Sequence, residues 1–302
     1  MALLIVGCTV VDLIFPRVPR LPAWPDHTEF TSANLTLLAE PPLVTIGGNG
    51  ANAAYAAARC KASVTLHSNA GRDPLGDLAR AWLDAAGCRV ESPAGVRRTA
   101  VNVTAADARH RRATLFYPGS PPVLPAVARD CSHALICGWP HPPPAVLARS
   151  LRAWRTRGVW TAFDAGPLLG TIPTLAGLRP VLAALDLFLA NEHEILAITR
   201  ATRLHVALAR LRRIFAGHIV IKLGARGAVW LPAGTNERKH APGRPVRVIN
   251  TVGAGDTFNG ALLAALDRRA DFPAALRFAN TVAANVVRSP HGVLGLRSTS
   301  LK

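Results

Sequence analysis

Short apolar runs alternate with helical patterns along most of this 302-residue chain. That alternation points to one architecture above others, a mostly parallel α/β sheet flanked by helices. Residues 64–69 read as a strand and 75–86 as a helix; 134–137 are a strand, 145–157 a helix and 159–163 a strand. The order returns in 187–190, 204–215 and 218–223. The first apolar run, residues 2–15, reads as a buried first strand. It mimics an export signal but lacks a basic n-region, is short before Cys8 and carries Asp12, so export is not expected. No other stretch has about 18 uncharged apolar residues, so no membrane span or membrane partner is expected.

Two segments interrupt the alternation. Residues 13–43 are rich in proline and polar side chains, and 101–116 read as two strands around Ala106-Asp107-Ala108-Arg109. The two segments are expected to pair into a small β layer off the main sheet, a lid subdomain of a single domain spanning 1–302. Pro16, Pro19, Pro22 and Pro25 fall at the three-residue period of polyproline II, and guarding an exposed edge accounts for them better than a docking motif does. No internal repeat or long linker marks a second domain.

Composition bears on partners. Lys+Arg 35 against Asp+Glu 18 gives a net charge of +17, nearly all of it arginine and scattered over helical segments. A nucleic-acid binder concentrates its charge on one face or tail, so nucleic acid is not an expected partner. The tightest cluster, Arg109-His110-Arg111-Arg112, reads as a solvated hairpin tip. Five cysteines, none at CxxC spacing, argue against a disulfide framework or zinc ribbon and for a reducing, cytoplasmic setting.

Two glycine clusters carry chemistry. In Asn250-Thr251-Val252-Gly253-Ala254-Gly255-Asp256-Thr257-Phe258, Gly253, Ala254 and Gly255 let backbone N–H groups approach a ligand, and the helix at 259–266 adds its positive N-terminal end; together they form an anion hole. Asp256 in the first turn is placed to take a proton from an attacking hydroxyl, or serves only as an N-cap. Ile46-Gly47-Gly48-Asn49-Gly50-Ala51-Asn52 lacks the spacing of a dinucleotide fingerprint or P-loop. Its glycines and amides suit a polyhydroxylated ligand, or a tight strand-to-helix turn.

In this order and about 200 residues apart, the two clusters resemble those of the PfkB family of carbohydrate kinases, with its ribokinase-like fold. The resemblance extends over nearly the whole chain. Gly7-Cys8-Thr9-Val10-Val11-Asp12 looks like the first strand with a substrate-binding aspartate, and Gly71-Arg72-Asp73-Pro74-Leu75-Gly76 like a G-x-D-x-x-G element. Asn191-Glu192-His193-Glu194 matches N-x-x-E, Lys222-Leu223-Gly224-Ala225-Arg226-Gly227 matches a strand and turn beside the nucleotide, and Gly253 to Asp256 match GAGD.

The resemblance implies an ATP-dependent sugar kinase with Asp256 as base and Gly253, Ala254 and Gly255 around the transferring phosphoryl group. It places Asp12, Gly48, Asn49 and Asn52 on the sugar. Asn191, Glu194, Lys222, Gly224, Gly227 and Asn280 fall near the nucleotide, with Glu194 reaching Mg²⁺ through water. It also implies a homodimer through the lid. Three departures stand out. Asn49 replaces the lysine usual in ribokinases. Asn250 replaces an aspartate, so strong K⁺ dependence is not expected. Asp164-Ala165-Gly166-Pro167 does not match D-x-N-x-R, and Asp164 reads as a turn residue. A nucleoside kinase of the same family and a catalytically silent sugar- or nucleotide-sensing protein are the alternatives.

Overall fold

The computed structural model describes residues 2–22, 29, 31–109, 111–120, 123–125, 131–139, 143–168 and 172–300. Of the residues singled out above, Pro25 and His110 lie outside it. Nine strands form the large sheet: β1 (Ala2–Val6), β4 (Val64–His67), β5 (Cys88–Glu91), β8 (Cys131–Trp139), β9 (Trp160–Leu168), β10 (Leu187–Asn191), β11 (His218–Lys222), β12 (Ala228–Leu231) and β13 (Lys239–Ala241). Their order is β13-β12-β11-β10-β9-β8-β1-β4-β5. All neighbours are parallel except β11/β12 and β12/β13.

Side chains alternate between two cores, as the pleat requires. Leu3 and Ile5 of β1 join one cluster with the helices α1 (Asn49–Arg59), α7 (Ala254–Asp267) and α8 (Phe272–Val286). Leu4 and Val6 join a second cluster with α3 (Pro144–Arg155), α4 (Leu175–Leu182), α5 (Glu192–Thr199) and α6 (Leu204–Arg212). The helix α2 (Pro74–Ala85) packs beside β5. The alanine-rich α1 is buried from Asn49 to Ala58, and its small side chains bring it against α7: a Cβ on Gly260 would come within 2.1 Å of the Ala53 carbonyl oxygen.

The first apolar run is not one strand. It breaks at Gly7-Cys8-Thr9, leaving β1 in the large sheet and sending β2 (Val10–Phe15) into a second sheet. At the break, a Cβ on Gly7 would meet Gly50 Cα at 2.8 Å. The Cys8 N–H donates to Asn49 Oδ1 at 3.0 Å and the Thr9 N–H to Asn69 Oδ1 at 2.8 Å. The hydrophobic run continues because β1 and the first half of β2 are buried; the change of sheet is set by contacts distant in sequence.

The second sheet has the order β3-β2-β6-β7, with β3 (Leu43–Gly47), β6 (Ala100–Ala106) and β7 (Arg112–Tyr117). It starts earlier than residue 13 and ends later than residues 43 and 116. The β6–β7 turn is held by Asp107, whose carboxylate accepts the N–H groups of Arg109 and Arg111 and the Arg111 guanidinium. The G-x-D-x-x-G element is a clamp: Asp73 caps α2 through the Gly76 N–H and accepts both the N–H and the hydroxyl of Thr99. It thereby fixes the entry to β6.

Candidate active site

The carboxyl ends of β1, β8, β9, β10 and β11 open on a cleft of about 630 Å³ that the second sheet borders on its other side. Open parallel sheets place ligands at this edge. Asp12, Gly48, Asn49, Asn52, Asn191, Glu194, Lys222, Gly224, Gly253, Gly255 and Asp256 all line it.

The α7 end is built from its loop. Asn250 Oδ1 accepts the Val252 N–H at 3.0 Å, and Gly253, at φ +76°, starts the helix one turn earlier than the apolar pattern indicates. Asp256 stands in the first turn, and its Oδ2 accepts a hydrogen bond from Asn52 Nδ2 at 3.1 Å. Burial and then the neighbouring Asp164 charge push its carboxyl up to about 7, against the opposing pull of Lys222 and the Asn52 hydrogen bond; Glu194 adds a further upward push. A carboxylate poised near neutrality is suited to proton transfer.

Asp164 is no turn residue. It lies inside β9, 2% exposed, paired in register with Leu189. The Lys222 ammonium donates to its Oδ1 at 2.8 Å and to Asn259 Oδ1 at 3.2 Å. Burial pulls the Lys222 ammonium down, but Asp164 and Glu194 outweigh that and hold it above its ordinary value. Beside it, Asn191 and Glu194 form a reciprocal cap on α5: Glu194 Oε2 accepts the Asn191 N–H at 2.7 Å, and Asn191 Oδ1 accepts the Glu194 N–H at 2.8 Å. Burial, then Asp164, raises the Glu194 carboxyl. Among the described residues no group of three or more His, Cys, Asp or Glu is set to hold a metal ion by itself. One cleft-lining carboxylate still fits Mg²⁺ arriving with phosphates, since that ion keeps waters and takes few protein ligands.

At the other end, Asp12 on β2 is 5% exposed and faces Asn102 in register on β6, whose amide donates to it. Burial raises the Asp12 carboxyl against that bond. Gly47 makes the space, since a Cβ there would lie 2.3 Å from Asp12 Oδ2. Gly48 has φ +87°, and a Cβ would strike the Cys8 carbonyl oxygen at 2.4 Å. Thr114 and Phe116 of β7 complete this side.

Three of the expected site residues make contacts within the protein itself. Asn49 lines the cleft, but its Oδ1 accepts the N–H groups of Cys8 and Gly50, and its Nδ2 donates to the Gly166 carbonyl. Its amide is mainly a clamp between β1, α1 and β9. Asn280 is not among the lining residues: its Nδ2 donates to the Ala241 and Pro242 carbonyls at 3.1 Å each. Gly227 is not among the lining residues, and a Cβ there would come 2.2 Å from the Ala241 oxygen, whereas among the described residues nothing lies within 4 Å of a Cβ position on Gly224. Asp164, Asn102, Asn259 and Phe116 were missed. Asn259 follows Gly255 by four residues, one helical turn along α7, and that spacing was a usable signal.

These features define an α/β protein with a glycine-bordered helix start and a buried carboxylate at one sheet edge. A sequence profile described as pfkB family carbohydrate kinase matches residues 24–297. The ATP-dependent ribose-1-phosphate kinase of Halopiger xanaduensis is 31% identical over 253 residues, 79% of each chain. The ribokinase of Mus musculus is 28% identical over 276 residues, 86% of this chain and 80% of that one. The structure of Arabidopsis thaliana ribokinase complexed with ribose and ATP superposes with a TM-score of 0.81, at 21% identity, over 98% of this chain and 96% of the other. The chain belongs to the pfkB family of carbohydrate kinases, phosphotransferases that act on sugars or nucleosides.

Proposed function

We propose that the protein transfers the γ-phosphate of ATP to a hydroxyl of a small sugar, with Asp256 as the general base. The observation that carries this reading is Asp256 itself: a carboxyl pushed up to about 7, in the first turn of α7, with one oxygen held by Asn52. Its other oxygen is left to accept the proton of the attacking hydroxyl. Mg·ATP supplies the activated phosphoryl group. The N–H groups of Gly253, Ala254 and Gly255 and the Lys222 ammonium stabilise negative charge at the helix N-terminus. Glu194 and Asn191 face the nucleotide side, where Glu194 fits a water-mediated contact to Mg²⁺, and the open backbone of Gly224 permits close approach.

Asp12 and Asn102 are placed to hold acceptor hydroxyls, and the small sheet acts as the lid that keeps water from the phosphoryl group. Phe116, half exposed at the cleft, favours a second reading, a nucleoside acceptor whose base stacks on the ring. Strand β7 is exposed along its length, Leu115 at 76%. It forms an edge of the small sheet, an arrangement that supports pairing of two copies through the lid. The test of function is ADP release with Mg·ATP across pentoses, hexoses, sugar phosphates, sugar acids and nucleosides. Turnover restricted to one acceptor class supports the reading; no turnover with any acceptor refutes it.

A further inference from the structure

Asp164, the buried partner of Lys222, is the cleft residue that the family resemblance leaves without a role. Both side chains are almost wholly buried, at 3% and 11% exposure. Lys222 ends β11 and Asp164 lies two strands away on β9, across β10. The ammonium crosses this gap and stops beside α7: a Cβ on Gly255 would lie 3.6 Å from Lys222 Nζ. Asp164 and Asn259 take two of its hydrogen bonds. An ammonium has three donors, so one remains after its contacts among the described residues, and Lys222, Asp164 and Gly255 all line the cleft.

We propose that Asp164 is a positioning residue, which together with Asn259 fixes the Lys222 ammonium at the N-terminal turn of α7 so that its remaining N–H meets the terminal phosphoryl group of the nucleotide. A lysine on a flexible four-carbon stem is a poor fixed charge by itself. Buried unpaired, it would also tend to lose its proton. Asp164 removes both problems, because its carboxylate sets the direction of the stem and keeps the ammonium charged. The pair adds no net charge to the cleft, yet presents its positive end to the phosphate and its negative end to the sheet.

The inference rests on the phosphotransfer reading, and its test separates the two. Titration calorimetry with Mg·ATP and Mg·ADP compares wild type, Asp164→Asn, Lys222→Met and the double variant. The wild type should prefer ATP. Each single variant should lose most of that preference, and the double variant should lose no more than either single, as expected of residues acting as one unit. With an accepted sugar, Asp164→Asn should lower kcat by about 10- to 100-fold, the scale of a slightly misplaced reacting geometry, and leave the acceptor KM unchanged.

The pH profile adds a readout that lost packing would not move. Asp256 is faced by Asn52 on α1, Cys137 on β8, Asp164 on β9, Glu194 on α5 and Lys222 on β11. Removing the Asp164 charge should therefore shift the acid limb of kcat/KM downward. An Asp164→Asn protein that keeps its ATP preference and kcat, whatever its thermal stability, overturns the proposal. If Asp164→Asn does not fold, Asn259→Ala takes its place, with the same loss expected and the same retention overturning it. A wild type that turns over no acceptor refutes the phosphotransfer reading, while the nucleotide preference still decides this inference; a wild type without that preference overturns it.

Discussion

Asn52 and Asp256, 204 positions apart in the chain, meet in a 3.1 Å hydrogen bond. The bond joins the first turns of α1 and α7, and it forms because Gly260 lets α7 approach the α1 backbone at Ala53. The two glycine clusters of the sequence are thus one site. The consequence for Asp256 is directional: Nδ2 of Asn52 holds Oδ2 and leaves Oδ1 for the acceptor. Asp256→Asn should lower kcat by about 100- to 10,000-fold, the usual scale for a lost general base, with Mg·ATP affinity retained in calorimetry. A variant with more than half of wild-type kcat would refute the assignment.

The raised Asp256 carboxyl makes a second prediction about pH. Its folded value of about 7 lies above that of an unfolded aspartate, so folding favours the protonated acid. The stability this contributes is present at low pH and is lost as pH rises through the folded value. The base, in contrast, works only when deprotonated. Activity should fall as pH drops below about 7, while Asp256→Asn should gain thermal stability relative to wild type on going from pH 5 to pH 8. Parallel rate and thermal-melt series check both signs; a wild-type acid limb at the ordinary carboxylate pKa would show that Asp256 is not held as described.

Much of this was legible before the fold was known. The order of apolar runs reports strands, and Gly253 to Asp256 and Gly47 to Asn52 report backbone conformations that few other residues adopt. What could not be read depends on contacts between distant segments. Residues 2–15 read as one apolar run, because β1 and the first half of β2 are buried, so the switch of sheets at Gly7-Cys8-Thr9 does not show in the hydrophobic pattern. Asp164 followed a strand and preceded Ala165-Gly166-Pro167, a sequence that resembles a turn. Its real environment is set by Lys222, 58 residues later. Asn49 and Asn280 show a second limit, because amides that suit a ligand also suit orphan backbone groups, and their backbone partners come from the fold.

Asp12 should have a separable role. Its buried carboxylate, held by Asn102, lies on the small sheet, whereas Lys222 ends a strand of the large sheet and Glu194 stands in the first turn of α5. A hydrogen bond from a sugar hydroxyl to a charged group contributes about 1.5–3 kcal/mol, roughly 10- to 100-fold in binding. Asp12→Ala should raise the acceptor KM by at least that factor and leave the ATP KM close to wild type. Equal increases for both substrates would make Asp12 a structural residue.

At the opposite edge of the sheet, His218 should contribute to the loss of stability in acid. Its Nδ1 accepts the Trp230 indole N–H at 3.1 Å and the Ala233 N–H at 3.2 Å, so the ring is neutral with its proton on Nε2. Burial, then the charge of Arg212, lowers its pKa against a smaller upward pull from Asp186. The unfolded chain therefore takes up the proton first. Stability is full above the ordinary histidine pKa and is lost as pH falls toward the folded value. Replacing the ring with His218→Gln keeps an acceptor without a titration. The wild-type melting midpoint should fall more between pH 7.5 and pH 5 than that of the variant; equal falls would exclude His218 as the source.

The last prediction concerns Asn250, where the resemblance implies an aspartate. Asn250 Oδ1 accepts the Val252 N–H at 3.0 Å, and its Nδ2 reaches the Pro290 carbonyl at 3.5 Å. The amide thus fixes the loop that leads into Gly253, and does so without a negative charge. A K⁺ ion is held by oxygen ligands and favoured by nearby negative charge. With a neutral side chain that also donates toward the Pro290 oxygen, wild type should show little or no K⁺ activation. Asn250→Asp keeps the acceptor for Val252, removes the donor and adds a charge beside the freed carbonyl, so it should introduce or strengthen K⁺ dependence. Initial rates in matched potassium and sodium chloride buffers compare the two proteins. Strong K⁺ activation of wild type would mean that backbone carbonyls alone hold the ion and that position 250 does not control it.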